Sequence, residues 1–182
     1  MSSFNFKQKA SATVDRKKEI ANGLDMRGFF TLQHIRDNVV IHEEKVPNGV
    51  TNEGKDLALD VMFHDETKIH PWYIGLIDDD GSVVLAAADT MGSHAGWTES
   101  VKYSELTRQE YDEAAASSQS TTSSTTADFS INDTDTIYGV FITSDSTKSA
   151  TAGTLWATAA FDASRAVVNG DTLRVTYTVN AT

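Results

Sequence analysis

The sequence contains no cysteine, which excludes disulfide bonds and thiolate metal sites at once. It has only two prolines, Pro47 and Pro71, so few positions are barred from regular secondary structure. The longest apolar run, Val83 to Ala88, has six residues and is far too short to cross a membrane. No apolar segment follows the first basic residues, so we expect no secretory signal and a protein that stays in the cytoplasm in which it is made.

The charge of the chain is acidic overall and unevenly distributed. Its 182 residues carry a formal net charge of -11, yet residues 1–27 carry +3, which leaves -14 for the rest. A body this acidic repels a phosphate backbone, so we expect no nucleic-acid partner. The basic side chains of the first segment are candidates for contact with an acidic protein surface, the alternative being a solvated terminus. These side chains are Lys7, Lys9, Arg16, Lys17 and Lys18.

Residues 1–27 show neither a period of two nor one of 3.6, so we expect an extended N-terminal arm that is ordered only where a neighbour covers it. From residue 28 to 182 we expect one domain. Gly28 to Ile35 and Asn38 to Glu44 are rich in β-branched and aromatic residues, and the turn between them predicts a hairpin.

An amphipathic helix and a covered strand follow in the stretch from Thr51 to Ile77. Apolar positions recur with a helical period, which predicts a helix at about 51–63 that Thr51 or Asn52 caps. Trp72 to Ile77 is apolar on both faces, as in an interior strand. We expect Val83 to Ala87 to return beside it as the second strand of a hairpin. The apolar positions of the helix are Gly54, Leu57, Ala58, Val61 and Met62.

After these elements, the sequence predicts first a long loop region and then several strands. Asp89 to Tyr111 is predicted to be a long structured loop, and the polar run Ser117 to Thr126 an exposed loop or the approach to a strand. Four strands are expected in the last third: Ala127 to Ile131, Thr136 to Thr143, Thr154 to Phe161 and Thr172 to Val179. We therefore predict a mainly β protein, an antiparallel, jelly-roll-like β-sandwich with one helix.

Three clusters have some of the residue types that chemistry requires, and each has a simpler explanation. His64 and His70 flank Asp65 and Glu66, but without the spacing of a zinc signature. The acids of Asp78 to Gly81 are contiguous rather than alternating as in a calcium loop. Ser93 and His94 with Asp89 lack the nucleophile elbow of a catalytic triad. We therefore expect no catalytic residue, no metal and no cofactor.

Trp97, Tyr103 and Tyr111 allow two interpretations. They are anchors that hold the long loop to the sandwich, or they form an aromatic platform for a sugar or a subunit interface. Anchoring is the favoured one.

Several segments together resemble a family of tailed-bacteriophage virion proteins, over residues from about 50 to 180. The segments are Asn52 to Gly54, Trp72 to Ile77, Asp89 to Met91, Ser93-His94, Gly96 to Glu99, Tyr103, Arg108, Tyr111, Gly139 to Ile142, Ala152 to Ala157, Gly170 to Leu173 and Val175 to Tyr177. The order of these short motifs along the chain is what makes the resemblance specific.

The resemblance implies a non-enzymatic structural protein of the phage particle, of the capsid decoration or cement type. It implies that the protein is made in the host cytoplasm and binds the outer capsid surface. The implied partners are the major capsid protein and two further copies of the same chain, which together form a homotrimer. The alternatives are a tail, neck or fibre component, or a glycan-binding sandwich module of the virion. The candidate contacts with the capsid or with another subunit are Lys7, Lys9, Arg16, Lys17, Lys18, Trp97, Tyr103, Arg108 and Tyr111.

Overall fold

Two antiparallel sheets packed face to face form the protein, as the computed structural model shows for residues 25–78 and 82–181. The strands are β1 (Met26–Arg36), β2 (Val39–Pro47), β3 (Gly49–Val50), β4 (Trp72–Asp78), β5 (Thr98–Ser100), β6 (Gln109–Tyr111), β7 (Ser120–Thr122), β8 (Ala127–Ser130), β9 (Asp135–Thr143), β10 (Leu155–Val167) and β11 (Thr172–Ala181). The helix α1 (Asn52–Phe63) connects β3 to β4. The predicted antiparallel β-sandwich with one helix is confirmed.

The first sheet has the order β2-β1-β11-β7, with β8 also paired to β11. Its main contact is the pairing of β1 with β11, which runs from Met26 opposite Ala181 to Ile35 opposite Thr172. The second sheet has the order β3-β10-β9-β4-β5, with β6 also paired to β4. Because β1 continues into β2 and β3 joins the other sheet, the chain changes sheets just before the helix.

The first hairpin forms where the sequence predicts it. Asp37 and Asn38 both have positive φ, 51° and 62°, as a two-residue turn between twisted antiparallel strands requires. Asn and Asp tolerate this left-handed conformation better than other side chains do.

The main core lies between the sheets and is built from alternate residues of the long strands. In β11, Leu173, Val175 and Tyr177 point inward, as the alternation predicts. In β4 the residues from Ile74 to Ile77 are all buried, which confirms a strand covered on both faces. Gly75 lies under the ring of Phe141, where a Cβ atom would come within 2.3 Å of the ring.

A smaller apolar cluster covers the outer face of the second sheet. It contains Ile77 and Phe141 from β4 and β9, together with Leu155, Met91 and Trp97. The segment 82–97 lies over this face and closes it. Val83 to Ala87 does not form the predicted return strand, because the neighbours of β4 are β9 on one side and β5 and β6 on the other.

Two other predicted loops contain short strands. The segment Asp89 to Tyr111 includes β5 and β6, both paired with β4. The polar run Ser117 to Thr126 includes β7, which pairs with β11. In both cases the pairing partner lies far away in the sequence, so local composition does not reveal the strand.

The structure tests the predicted helix but describes only the last three residues of the predicted arm. Residues 1–24 lie outside the described residues, and Met26 and Arg27 of the predicted arm already belong to β1. The helix begins and ends where predicted, with Thr51 as its N-cap. Its apolar face, however, is buried only at Gly54.

Candidate interaction surface beside the helix

The first turn of the helix is fixed to the start of β10. The Thr51 hydroxyl accepts a hydrogen bond from the Gly54 amide at 3.0 Å and donates to the Leu155 carbonyl. The Glu53 carboxylate accepts from the Leu155 amide. Gly54 lies so close to β10 that a Cβ atom would come within 2.6 Å of the Trp156 carbonyl oxygen. These contacts hold the beginning of the helix, and in its second half Leu59, Met62 and Phe63 are exposed.

An apolar groove runs between the second half of the helix, the segment 68–72 and the adjoining ends of the two sheets. It consists of two cavities of about 260 and about 270 Å³ that share Met26, Lys68, Ile69, Trp72 and Trp156. Leu57, Ala58, Val61 and Met62 form the helical wall. Tyr111, Thr121, Ile142, Tyr177 and Val179 line the part over the sandwich. We call this surface the apolar groove.

Aromatic rings form a rigid floor for the apolar groove. The rings of Trp72 and Trp156 are 6.0 Å apart, and the Trp156 indole donates a hydrogen bond to the Tyr177 hydroxyl at 3.0 Å. Tyr177 in turn stacks on Phe30, with ring centroids 4.4 Å apart. Burial raises the pKa of the Tyr177 phenol well above its usual range. Tyr177 therefore stays neutral, and its hydroxyl supports the Trp156 ring through their hydrogen bond.

One end of the apolar groove is polar. Glu113 lies there with one carboxylate oxygen 3.2 Å from the His70 Nε2 atom. Its other oxygen, Oε2, is buried and has no hydrogen-bond partner among the described residues. A buried carboxylate oxygen normally accepts a hydrogen bond, so this end suits a ligand that supplies a donor.

The opposite side of the helix carries a second apolar feature. Leu59 and Phe63 are 55% and 77% exposed and stand four residues apart, so they lie next to each other on one helical face. This face points away from the groove, because Leu57 and Val61 line the groove. We call Leu59 and Phe63 the outer helix pair.

The tip of the first hairpin is exposed and apolar as well. Val39, Val40 and Ile41 follow the turn and are each about half exposed. Contiguous exposed apolar side chains of this kind mark surfaces that bind other proteins.

The structure places the predicted contact residues in two groups. Lys7, Lys9, Arg16, Lys17 and Lys18 lie outside the described residues. Trp97, Tyr103, Arg108 and Tyr111 are all buried, with exposed fractions of 5% or less. Side chains with so little accessible surface cannot contact a partner, so we reassign these four to the core. They hold the segment between β4 and β7 against the sandwich, which agrees with the favoured interpretation of the aromatic residues.

The contacts of Arg108 and Trp97 show how this anchoring works. The Arg108 guanidinium binds both oxygens of Glu99, at 2.9 and 2.7 Å, and donates to the carbonyls of Asp145 and Ala150. The Trp97 indole donates to Asp89 at 3.1 Å, and its ring stacks on His94. Asp89 and His94 are therefore used in holding the loop and do not form a triad with Ser93.

The two remaining clusters are the histidines and acids of residues 64–70 and the acidic run of residues 78–81. Within residues 25–78 and 82–181, no group of three or more histidine, aspartate or glutamate side chains is placed to hold a metal ion. Asp79 to Gly81 of the calcium-like run lie outside the described residues. None of the helices in the described part of the chain has the length and hydrophobicity needed to cross a membrane.

Sequence reasoning missed both the apolar groove and the outer helix pair, although the sequence contains one signal for the outer helix pair. The helix carries apolar residues on two sides, at Leu57 and Val61 and again at Leu59 and Phe63. A helix that packs only on its own domain needs one apolar stripe. The second apolar side, Leu59 and Phe63, is more than such packing requires and indicates a contact with another surface.

The fold is an antiparallel β-sandwich with a helix on which Leu59, Met62 and Phe63 are exposed. Comparison of the sequence with protein-family models and with curated proteins gives no match.

Proposed function

We propose that this protein is a structural, non-enzymatic subunit of a tailed-bacteriophage particle, a decoration protein that binds the outer capsid surface and stabilises the shell. The observation that carries the proposal is the outer helix pair, two large exposed apolar side chains on a helix whose only buried residue is Gly54. Apolar side chains so placed gain free energy when another protein covers them. The ordered motifs that resemble virion proteins supply the identity of the assembly.

The distribution of charge supports the same function. The chain beyond residue 27 carries -14, which suits the outside of a shell and opposes contact with the packaged nucleic acid. The major capsid protein is therefore the proposed partner, together with two further copies of this chain in a trimer. The basic side chains Lys7, Lys9, Arg16, Lys17 and Lys18 are proposed to add electrostatic contacts to capsid subunits.

Particle binding by surface variants tests the proposal. Particles prepared without this protein are mixed with wild type or with the double variant Leu59→Asp, Phe63→Asp, and the bound protein is measured after sedimentation. We expect the double variant to bind at least about tenfold less, because two charged groups would be buried in the interface. Leu106→Asp is the control, since Leu106 is 94% exposed and belongs to the loop between β5 and β6 instead of the helix. Equal binding by all three proteins contradicts the proposed surface.

Copy number distinguishes the capsid from other positions in the particle. A decoration protein follows the symmetry of the shell and is present in hundreds of copies, whereas a neck or tail component is present in a few dozen or fewer. Quantitative gel analysis of purified particles measures this number directly.

A further inference from the structure

The apolar groove lies where the described chain begins. Met26 is the first residue of β1 and lines both cavities of the groove. The 24 residues before Asp25 therefore start at the groove wall. Ile20 precedes Met26 by six positions in the sequence, and an extended chain of that length reaches about 20 Å. The end of this segment can thus reach the helical wall without any rearrangement of the sandwich.

The residue types of this segment match the groove. Residues 1–24 include five apolar side chains of suitable size, Phe4, Phe6, Val14, Ile20 and Leu24. The groove presents apolar side chains from the helix on one side and the Trp72 and Trp156 rings on the other. Moving such side chains from water into the groove removes apolar surface on both partners.

The charges are complementary as well. Residues 1–24 hold five basic and two acidic side chains, a net charge of +3. The helix and the turn after it, residues 52–72, hold five acidic and two basic side chains, a net charge of -3. Glu113 adds a buried carboxylate oxygen inside the groove that has no hydrogen-bond partner within residues 25–78 and 82–181. The lysine and arginine side chains of residues 1–24 are hydrogen-bond donors of the kind that this oxygen accepts.

We propose that the apolar groove is the docking site of the chain's own N-terminal segment, residues 1–24, with Ile20 and Leu24 packed between the helix and the Trp72–Trp156 pair. The tether favours this segment over that of a second copy, because a short connection gives an effective concentration in the millimolar range. The proposal rests on the groove and on the segment, not on the proposed function, and is tested on the isolated protein.

Disulfide trapping in the full chain tests the proposal, since the wild-type sequence has no cysteine. The double variant Ile20→Cys, Met62→Cys pairs the segment with the helical wall of the groove. The double variant Ile20→Cys, Leu106→Cys is the matched control, because Leu106 is more exposed than Met62 but does not line the groove. Both are oxidised at micromolar protein concentration and run on non-reducing gels. We expect the intrachain disulfide to form at least about tenfold faster with the Met62 position.

Tryptophan fluorescence gives an independent measurement of the same docking. Trp72 and Trp156 line the groove, whereas Trp97 is buried elsewhere and serves as a constant background. In the full-length double variant Ile20→Asp, Leu24→Asp, we expect stronger quenching by acrylamide and emission at longer wavelength than in the wild type. Leu106→Asp should leave both unchanged.

Three results would overturn the proposal. Disulfide-linked dimers as the main product would show that the segment of a second copy occupies the groove. Equal rates for the two cysteine pairs would show that the segment does not visit the groove preferentially. Unchanged quenching in the aspartate variant would show that the groove is open, or is covered by something other than this segment.

Discussion

Arg108 and Arg174 make the same kind of ion pair in two different environments. Each binds both oxygens of a carboxylate, Arg108 that of Glu99 and Arg174 that of Asp128. The Arg108 pair is buried, whereas both partners of the Arg174 pair are about 40% exposed. The free energy that an ion pair contributes depends on how far its charges are removed from water. The loss of stability on removing the arginine should therefore differ strongly between the two pairs.

We predict that Arg108→Ala lowers the free energy of unfolding by about 3–5 kcal/mol, because it leaves the Glu99 carboxylate buried without its cation. Arg174→Ala is the matched control and should cost at most about 1 kcal/mol. Urea titration followed by circular dichroism measures both values. Similar losses for the two variants would show that burial of the Arg108 pair has no energetic consequence.

Asp171 joins the turn before β11 to the end of β1. Its carboxylate accepts from the Arg36 guanidinium through two hydrogen bonds of 2.7 Å, from the Val168 amide at 2.9 Å, and lies 2.8 Å from the His34 Nε2 atom. The Arg36 guanidinium, together with Val168 and His34, holds the pKa of Asp171 well below its usual range, although burial acts in the opposite direction. The ionised form is therefore the one that stabilises the fold.

This lowered pKa predicts a definite pH dependence. In the unfolded chain Asp171 takes up its proton near pH 3.9, while in the folded protein it stays ionised to lower pH. Its contribution is thus complete above about pH 5 and is lost as the pH falls below about 4. We expect Asp171→Asn to be less stable than the wild type at pH 7, with a difference that shrinks between pH 5 and 3. A difference that is constant with pH would contradict this account of Asp171.

At the scale of the elements, the position of the helix depends on the close approach of Gly54 to β10. In an exposed helix, replacement of glycine by alanine stabilises by up to about 1 kcal/mol. Here the new methyl group would lie 2.6 Å from the Trp156 carbonyl oxygen, so the helix must move. We therefore predict that Gly54→Ala destabilises the protein by about 1–3 kcal/mol, opposite in sign to the helix propensity.

Gly49→Ala is the control for this effect. Gly49 lies in β3, and a Cβ atom there would meet nothing within 4 Å. Thermal unfolding of both variants should show a loss for Gly54→Ala and little change for Gly49→Ala. A gain for Gly54→Ala would mean that the helix is not seated on β10 in solution.

At the scale of the whole molecule, the buried apolar side chains of the described residues form two clusters, one between the sheets and one under the segment 82–97. The clusters share strands: Phe141 of β9 faces the outer cluster and its neighbours Val140 and Ile142 face the main core. The Trp97 ring lies 5.1 Å from that of Phe141. Because one strand serves both clusters, they should unfold together.

Hydrogen exchange measures whether the two apolar clusters unfold together. The Trp97 indole proton, which is bonded to Asp89, should be protected to within about 1 kcal/mol of the backbone amides of β9. The Val84 amide, which donates to the Gly96 carbonyl at 2.9 Å, should behave in the same way. Faster exchange at both positions would show that the segment 82–97 opens while the sandwich stays folded.

Much of the fold can be predicted from the sequence because it depends on local periodicity. The alternation of Leu173, Val175 and Tyr177, the Asp37-Asn38 turn and the cap at Thr51 each determine their own element. The short strands β5, β6 and β7 could not be found in this way. They exist because β4 and β11 present free backbone groups to segments that are distant in sequence.

The difference between what the sequence determines and what the tertiary structure decides is clearest at the candidate surface. The sequence by itself determined that an amphipathic helix lies at about 51–63, and that the chain beyond residue 27 is acidic. Only the tertiary structure decided that this helix is seated at Gly54 alone, so that Val61 and Met62 line a groove instead of filling the core. It also placed Trp97, Tyr103, Arg108 and Tyr111 inside the protein. The physical reason is that burial depends on which surfaces meet in three dimensions, and periodicity shows only which side of an element is apolar.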